Sequence, residues 1–241
     1  MAQFNPSDYR ILAVDDSDII LTMVDTALAS AGFQVFTALS GEDALEVIKK
    51  EGLPHLALVD INMPFGMDGF ELCEAVHEFC DLPIIMVTGV EDEGTIVDAI
   101  DLHAEDYIVK PFNPGELVAR VRRVIRSVGN FNYPLTQPTW VDKVTAVDFP
   151  NQRLFVEDNE IALTATETKL LYILMRSSPN TLSSDYIIRR LWPLERAYED
   201  RLRVYIHRLR QKMESLPNTR RYIFSVRGKG YLFSPDGVDE D

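Results

Sequence analysis

Acidic residues follow two short apolar runs in the first half of the chain. Asp15 and Asp16 come directly after residues 11–14, and Asp60 comes directly after residues 56–59. Three carboxylates that converge without a counter-charge repel one another and raise one another's pKa values. A hard divalent cation removes this repulsion, and three oxygen ligands with added waters suit Mg²⁺. The pattern therefore predicts a magnesium site.

A hydroxyl and an ammonium group follow two further apolar runs. Thr88 comes after residues 84–87, and Lys110 comes after residues 107–109. Beside a metal ion, these groups suit a phosphoryl group, because the cations neutralise its equatorial oxygens. One carboxylate would then act as the nucleophile. We therefore predict a phosphoryl-accepting site.

The apolar runs indicate which elements must bring these residues together. Strands are predicted over residues 11–14, 35–38, 56–59, 84–87 and 107–109, and helices over residues 19–31, 41–50, 69–79, 95–102 and 114–127. Strands that alternate with helices form a doubly wound parallel sheet, and ligands bind at the carboxyl ends of its strands. The fold is therefore expected to gather the carboxylates, the hydroxyl and the lysine at one edge.

Residues 128–138 contain Gly, Asn and two Pro residues and show no periodicity, which is typical of a linker. A different sequence pattern begins after them. Short antiparallel strands are predicted over residues 140–149, 153–156 and 160–163, helices over residues 164–177, 183–191 and 200–213, and a hairpin joining residues 222–226 to 231–233. We thus predict an α/β domain over residues 1–127, a linker over 128–138, an α+β domain over 139–235 and an acidic tail over 236–241.

Charge is distributed unevenly between the two halves. Residues 1–127 hold eight Lys and Arg against 23 Asp and Glu, whereas residues 128–241 hold 16 against 15. Residues 196–229 concentrate ten basic side chains against three acidic ones. An acidic regulator followed by a DNA-binding module would have this asymmetry. A solvated basic helix would have the same charges, so charge alone leaves both interpretations open.

The helix predicted over residues 200–213 carries both an apolar stripe and several arginines. The stripe comprises Leu202, Val204, Ile206, Leu209 and Met213, and the cations that lie mostly off it are Arg201, Arg203, Arg208, Arg210 and Lys212. Such a helix suits insertion into a major groove, where arginine grips guanine and other cations meet phosphate. Arg227 and Lys229 at the tip of the Gly-rich hairpin would reach the adjacent minor groove.

The motifs of the first half resemble the receiver domain of two-component response regulators, the CheY-like fold, over residues 9–127. The matching residues are Asp15-Asp16, Asp60-x-x-Met63-Pro64, Thr88 and Lys110-Pro111-Phe112. The resemblance implies that Asp60 accepts phosphate from a histidine kinase. It implies Mg²⁺ ligation by Asp16, by Asp15 through water, by Asp60 and by the Asn62 carbonyl, phosphoryl contacts from Thr88 and Lys110, and an aromatic switch at Tyr107.

The second half resembles the winged-helix effector domain of the OmpR/PhoB family over residues 140–234. The matching residues are Leu163-Thr164-x-Thr166-Glu167-x-Lys169-Leu170-Leu171, Arg208-Leu209-Arg210-x-Lys212 and Val226-Arg227-Gly228-x-Gly230-Tyr231. The resemblance implies a base-reading Arg208, a minor-groove contact from Arg227, and helper contacts from Arg201, Arg203, Tyr205 and Arg210. For Arg203 and Tyr205 a solvated face explains the sequence equally well. Residues 192–199 match a loop that touches RNA polymerase in this family.

The receiver half departs from the family pattern in ways that bear on dimerisation. The loop over residues 62–69 is one residue longer than is common. The resemblance implies that Asp98 stands where the family has a basic residue opposite Glu116, and that His103 stands where a Gly is usual. Opposite charges for the usual dimer remain at Asp101, Glu105, Asp106, Arg120 and Arg126. Two hypotheses follow: phosphorylation of Asp60 drives a dimer that pairs two DNA-binding domains on a repeated site, or the receiver is a fixed oligomerisation module.

Other classes of function receive less support. An enzyme that acts on a diffusible phosphate ester would need a substrate cleft, for which no motif is present, so we expect no enzyme. Cys73, His77 and Cys80 have a spacing that a metal site could use, but the cysteines share a helix face with apolar residues, which favours core thiols. The absence of long apolar runs and the polar N-terminus predict a cytoplasmic protein without a secretory signal.

Overall fold

The computed structural model describes residues 4–89, 104–128, 135, 137–193, 197–214 and 220–235. The chain divides into two compact units: Met1–His77 with Leu82–Val128, and Gly129–Asp241 with Glu78–Asp81. Among the described helices, none is long and apolar enough to cross a membrane.

The first unit is built on a five-stranded parallel sheet, as predicted. Its strands are β1 (Arg10–Val14), β2 (Gln34–Ala38), β3 (Leu56–Asp60), β4 (Ile84–Thr88) and β5 (Asp106–Val109). The strand order is β2-β1-β3-β4-β5. The order reverses direction between β1 and β3, so the carboxyl ends of these two strands form the crevice where doubly wound sheets bind ligands. Strands β3 and β4 are buried along their whole length, which explains their continuous apolar sequence.

Helices cover both faces of this sheet. They are α1 (Asp18–Ser30), α2 (Gly41–Glu51), α3 (Gly69–His77) and α4 (Pro114–Val128). Helices α1 and α4 pack together, and α2 packs against α3. The Ser40 side chain accepts the Asp43 N–H and caps α2. The helix predicted over residues 95–102 lies outside the described residues.

The second unit begins with a four-stranded antiparallel sheet. Its strands are β6 (Thr139–Trp140), β7 (Thr145–Asp148), β8 (Arg153–Val156) and β9 (Asn159–Ala162), paired in that order. The prediction of a single strand over residues 140–149 is therefore wrong. The Asp142 carboxylate accepts the backbone N–H groups of Val144 and Thr145. This local turn competes with an extended strand and splits the segment in two.

Three helices and a hairpin complete the second unit. They are α5 (Ala165–Arg176), α6 (Ser184–Leu191) and α7 (Glu199–Glu214), followed by β10 (Ile223–Val226) and β11 (Gly230–Phe233). A capping box is present at the start of α5, because Thr164 and Glu167 exchange hydrogen bonds. A Cβ at Gly230 would collide with the Leu182 carbonyl, so only glycine lets the hairpin pack this closely.

A half-buried histidine closes the amino-terminal end of the first sheet. The His55 ring accepts the Arg10 backbone N–H through Nδ1 at 2.9 Å. The His55 backbone N–H donates to the Arg10 carbonyl at 2.8 Å. Burial, with the nearby Arg10 charge, lowers the pKa of His55 from 6.5 to about 4. The folded protein therefore keeps this ring neutral in a pH range where the unfolded chain protonates it.

We predict that His55→Asn weakens the acid sensitivity of folding. Because the pKa of His55 is lower in the folded state, its contribution is complete above pH 6.5 and is lost as the pH falls towards 4. The loss would reach about 3 kcal/mol at most. Asparagine keeps an acceptor for Arg10 without titrating. Urea unfolding at pH 7 and pH 4.5 should show a smaller stability loss in the variant, and equal losses would contradict the prediction.

Candidate functional site

Three carboxylates meet at the carboxyl ends of β1 and β3. Asp15 and Asp60 are only 3% and 4% exposed, whereas Asp16 faces solvent. One oxygen from each of the three lies within 4.8 Å of the others. Among the described residues, this is the one group of acidic, His or Cys side chains that could hold a metal ion. Its all-oxygen donor set fits Mg²⁺.

Lys110 bridges the two buried carboxylates. Its Nζ lies 2.7 Å from Asp15 Oδ2 and 2.8 Å from Asp60 Oδ2. The side chain is placed by its own backbone, because the Lys110 N–H donates to the Thr88 carbonyl at 2.7 Å, just beyond the end of β5. The predicted acidic and basic residues are thus brought together as one cluster, although they come from three strand ends.

The pKa values show how this cluster is balanced. Burial raises the pKa of Asp60, and the hydrogen bond from Lys110 reduces that effect only in part. For Lys110, burial alone would lower the pKa, but its bonds to Asp15 and Asp60 outweigh burial and raise the pKa. With three carboxylates and one ammonium, the cluster carries an excess of negative charge that a divalent cation would neutralise.

Backbone packing holds the Asp60 strand end in place. The Asn62 N–H donates to Asp60 Oδ1, and the Ile61 N–H donates to the Val87 carbonyl. A Cβ at Gly69 would collide with the Asp60 carbonyl. The start of α3 therefore packs directly against the backbone of the candidate phosphoacceptor, and glycine is required for this approach.

The two predicted switch residues lie on one face of the sheet. Thr88 is fully buried and pairs with Val109, while Tyr107 is half-buried two residues earlier on β5. Side chains two residues apart on a strand share a face, so Tyr107 is a diagonal neighbour of Thr88. This placement allows the tyrosine ring to respond to movement of the threonine.

Helix α7 of the second unit buries one side and exposes the other. Leu202, Ile206, Leu209 and Met213 are buried. Val204 was predicted to belong to the same stripe, but it is 47% exposed. In an α-helix, the position of Val204 lies nearly opposite the buried residues, so its side chain faces away from the core. Val204, His207, Arg208 and Gln211 together form the outer face of the helix.

The cations of α7 differ in what they contact. Arg203 pairs with Glu199 and Asp200 on the helix surface. Arg210 donates to the Ile223 carbonyl and to Ser225 Oγ on the hairpin, both at 3.0 Å.

The remaining cations of α7 contact either a carboxylate or an aromatic ring. Lys212 Nζ lies 2.7 Å from the buried Glu167 carboxylate. Arg201 and Arg208 lie over aromatic rings. Arg210 and Lys212 therefore hold α7 against its own domain, a role that the sequence did not reveal for either residue.

The hairpin presents its two predicted cations to solvent. Arg227 and Lys229 are exposed on either side of Gly228, whose φ of 71° forms the tight turn. Together with Arg203 they line an open groove between the hairpin and the start of α6. An exposed helix face beside a cationic hairpin is the arrangement that winged helices use on DNA.

Comparison with known proteins matches both units. A response regulator receiver domain model matches residues 11–122, and a model of transcriptional regulatory protein C-terminal domains matches residues 158–233. A probable transcriptional regulator ycf27 from Porphyridium aerugineum is 35% identical over 231 residues, covering 93% of this chain and 95% of the relative. The chain belongs to the OmpR/PhoB-type response regulators.

Two further relatives belong to the same class. The DNA-binding response regulator MtrA of Mycolicibacterium smegmatis is 33% identical over 227 residues, covering 94% of this chain and 97% of the relative. The crystal structure of DrrB, a Thermotoga maritima OmpR/PhoB homologue, is 26% identical, with a TM-score of 0.45 and coverage of 94% and 99% of the two chains. A response regulator with a DNA-binding domain is a transcriptional regulator.

The long loop of this response regulator is fastened at several points. Glu42 from α2 accepts the Met67 N–H at 3.0 Å, beside Gly66 with its φ of 83°. Asp68 and Glu71 exchange hydrogen bonds at the start of α3. The Asp68-x-x-Glu71 spacing would have predicted this capping box, whereas no sequence signal indicates Glu42. The loop presents Phe65, which is 84% exposed.

Two of the five charged residues predicted for a response-regulator dimer, Asp106 and Arg120, form ion pairs within the chain. Buried Asp106 lies 3.1 Å from Arg120 and 2.7 Å from Arg123, and Arg120 also pairs with Glu116. Arg123 was not predicted. The other predicted interface residues are Arg126, which lies over the Phe4 ring, Glu105, which is half-buried, and Asp101, which is outside the described residues together with Asp98 and His103.

We predict that Asp60→Asn stabilises the fold when no divalent cation is present. Burial raises the pKa of Asp60, so its charge opposes folding at neutral pH, and the variant should gain on the order of 1 kcal/mol. The gain should vanish at a pH below the ordinary aspartate pKa, where both states are protonated. Denaturant unfolding in EDTA measures this difference.

Asp16→Asn is the matched control, since it removes an exposed carboxylate of the same cluster and should change stability little in EDTA. Adding Mg²⁺ should stabilise the wild-type protein more than Asp60→Asn, because binding to the folded state adds to its stability. A loss of stability in Asp60→Asn in EDTA would show that Asp60 is needed for folding and would contradict the prediction.

Proposed function

We propose that this response regulator binds DNA under the control of phosphorylation at Asp60. The observation that carries the proposal is the cluster of Asp15, Asp16 and Asp60 bridged by Lys110 at the carboxyl edge of the sheet. A buried nucleophilic carboxylate, an all-oxygen cation site and a fixed ammonium are the parts that phosphoryl transfer requires. A sensor histidine kinase is the proposed donor.

The phosphoryl-transfer step forms one bond at phosphorus and breaks another. One oxygen of Asp60 bonds to phosphorus as the bond between phosphorus and the donor's imidazole nitrogen breaks, and the electron pair stays with the imidazole. Lys110 already lies 2.8 Å from Asp60 and would neutralise the phosphoryl oxygens. Asp15, Asp16, Asp60 and the Asn62 carbonyl would hold Mg²⁺, which supplies further neutralisation of those oxygens when bound.

Thr88 and Tyr107 are the proposed route from phosphorylation to a changed surface. Thr88 ends the strand next to β3, where its hydroxyl would bind a phosphoryl oxygen of Asp60. Movement of Thr88 would open space on the sheet face that it shares with Tyr107. Phosphorylation would thereby shift an existing equilibrium between two receiver states rather than create a new one.

The outer face of α7 is the proposed DNA reader. Arg208 lies exposed on this face, one turn after the exposed Val204. Arginine recognises guanine through two hydrogen bonds, and an apolar side chain contacts a thymine methyl group. Arg227 and Lys229 on the hairpin would reach the minor groove. Arg201, Arg203 and Tyr205 lie at the flanks of the α7 face. The polymerase contact over residues 192–199 includes residues outside the described part and stays a prediction.

A second hypothesis is favoured by one observation. The pairing of Asp106 with Arg120 and Arg123 within the chain leaves fewer charges for a partner receiver. The receiver could then serve as a fixed oligomerisation module that does not respond to phosphate. This hypothesis predicts the same DNA contacts but no change of assembly on activation.

We predict that beryllofluoride with Mg²⁺ converts the protein from monomer to dimer. Beryllofluoride mimics the phosphoryl group on aspartate, so binding should favour the active receiver state. Light scattering measures the mass in solution, and Asp60→Asn is the control that should stay monomeric. An unchanged mass, with analogue binding confirmed by fluorine NMR, would favour the second hypothesis.

We predict that Arg208→Ala reduces discrimination between selected target DNA and random DNA by about 1–3 kcal/mol. The reason is that a base-reading arginine contributes to binding of its own target sequence alone. Fluorescence anisotropy with targets selected in vitro from a random pool measures both affinities. Lys229→Ala is the comparison, since a hairpin cation should weaken binding to both DNAs alike. An equal loss on both DNAs for Arg208→Ala would make Arg208 a phosphate contact.

A further inference from the structure

Two aromatic side chains lie together beside the outer face of α7. Trp192 is only 6% exposed, and its backbone N–H donates to the Ile188 carbonyl where α6 ends. The ring of Tyr205 lies with its centroid 5.5 Å from that of Trp192, at an interplanar angle of 52°. We call Trp192 and Tyr205 the aromatic pair. Because Trp192 is fixed by burial, it restricts the orientations that the Tyr205 ring can adopt.

Each ring of the aromatic pair holds a guanidinium group. Arg208 Cζ lies 5.5 Å from the Tyr205 centroid, one helical turn along α7. Arg201 Cζ lies 4.3 Å from the Trp192 centroid. Residues three apart on a helix are surface neighbours, which places the Tyr205 ring directly beside Arg208. The two rings thus lie between two arginines of the proposed DNA-binding surface.

The type of group that Arg208 contacts decides whether its N–H donors remain available for DNA. Arg203 and Arg210 use guanidinium N–H groups on carboxylates or on the hairpin. A ring face attracts a guanidinium through its charge and uses none of the in-plane N–H donors. The donors that would grip a guanine edge therefore stay available while the side chain is held.

Holding Arg208 in place has a consequence for binding. A long arginine side chain loses rotamer freedom when it binds a base, and this loss opposes binding. A side chain that is already oriented loses less. This smaller entropy loss strengthens the contact between Arg208 and its base, which occurs only on the target sequence. It therefore increases the preference for target DNA over random DNA.

We propose that Tyr205 is a specificity-determining positioning residue, which orients Arg208 for base recognition by holding its guanidinium against a ring that Trp192 fixes. This inference rests on the proposed DNA-binding function. It differs from the contact expected from the sequence, in which Tyr205 itself meets a phosphate or a base.

The test compares Tyr205→Leu and Tyr205→Phe in the full-length protein, with target DNA selected in vitro from a random pool by the wild-type protein. Tyr205→Leu should reduce discrimination between target and random DNA about twofold to fivefold, the value of an exposed cation–ring contact. Tyr205→Phe keeps the ring and should retain the discrimination. Circular dichroism and thermal unfolding check that both variants fold.

Two further readouts separate positioning from direct contact. The dependence of affinity on salt should stay the same in Tyr205→Leu. A slope reduced by about one would mean that the ring holds Arg208 on a phosphate and not on a base. In the Arg208→Ala background, Tyr205→Leu should cause no further loss of discrimination.

Additive losses in the double variant, a reduced salt slope, or an equal loss in Tyr205→Phe would each overturn the positioning role. The proposed function would still stand in those cases, since wild type would still prefer its target. A wild-type protein that shows no preference after selection would contradict both the proposed function and this inference.

Discussion

The bridge from Lys110 to two buried carboxylates constrains the receiver more than any other interaction. Asp15 and Asp60 lie in a low-dielectric site, where unpaired charges are costly. The chain satisfies them by ending β1, β3 and β5 at one edge, which the strand order requires. The close approach of Gly69 to the Asp60 carbonyl belongs to the same arrangement. The residual negative charge would be neutralised by a bound cation, which supports the proposed phosphoryl site.

The DNA-binding unit divides its cations between two tasks. Lys212 pairs with buried Glu167, and Arg210 binds the hairpin, so both hold α7 against the rest of the domain. Arg208 faces solvent beside Tyr205. The partner of each side chain, rather than its charge, therefore distinguishes a structural arginine from one that is available to DNA. A positively charged helix contains both kinds, and the net charge of the segment does not separate them.

The sequence predicted the described elements well, because the alternation of apolar runs with amphipathic stretches is a local signal. The cluster of Asp15, Asp60 and Lys110 was predictable for a further reason: parallel strands end at one edge. The turn at Asp142 was missed because its side chain competes with strand pairing through local hydrogen bonds. The partners of Arg210 and Glu42 were missed because they depend on packing between elements distant in sequence.

The most direct test of the central claim is phosphorylation by a small donor. The protein would be incubated with phosphoramidate and Mg²⁺, and mass spectrometry of the intact protein and its peptides would locate any phosphoryl group. The account predicts one phosphoryl group per chain on Asp60, lost in Asp60→Asn and when Mg²⁺ is chelated. A protein that stays unmodified, or that is modified equally in Asp60→Asn, would contradict it.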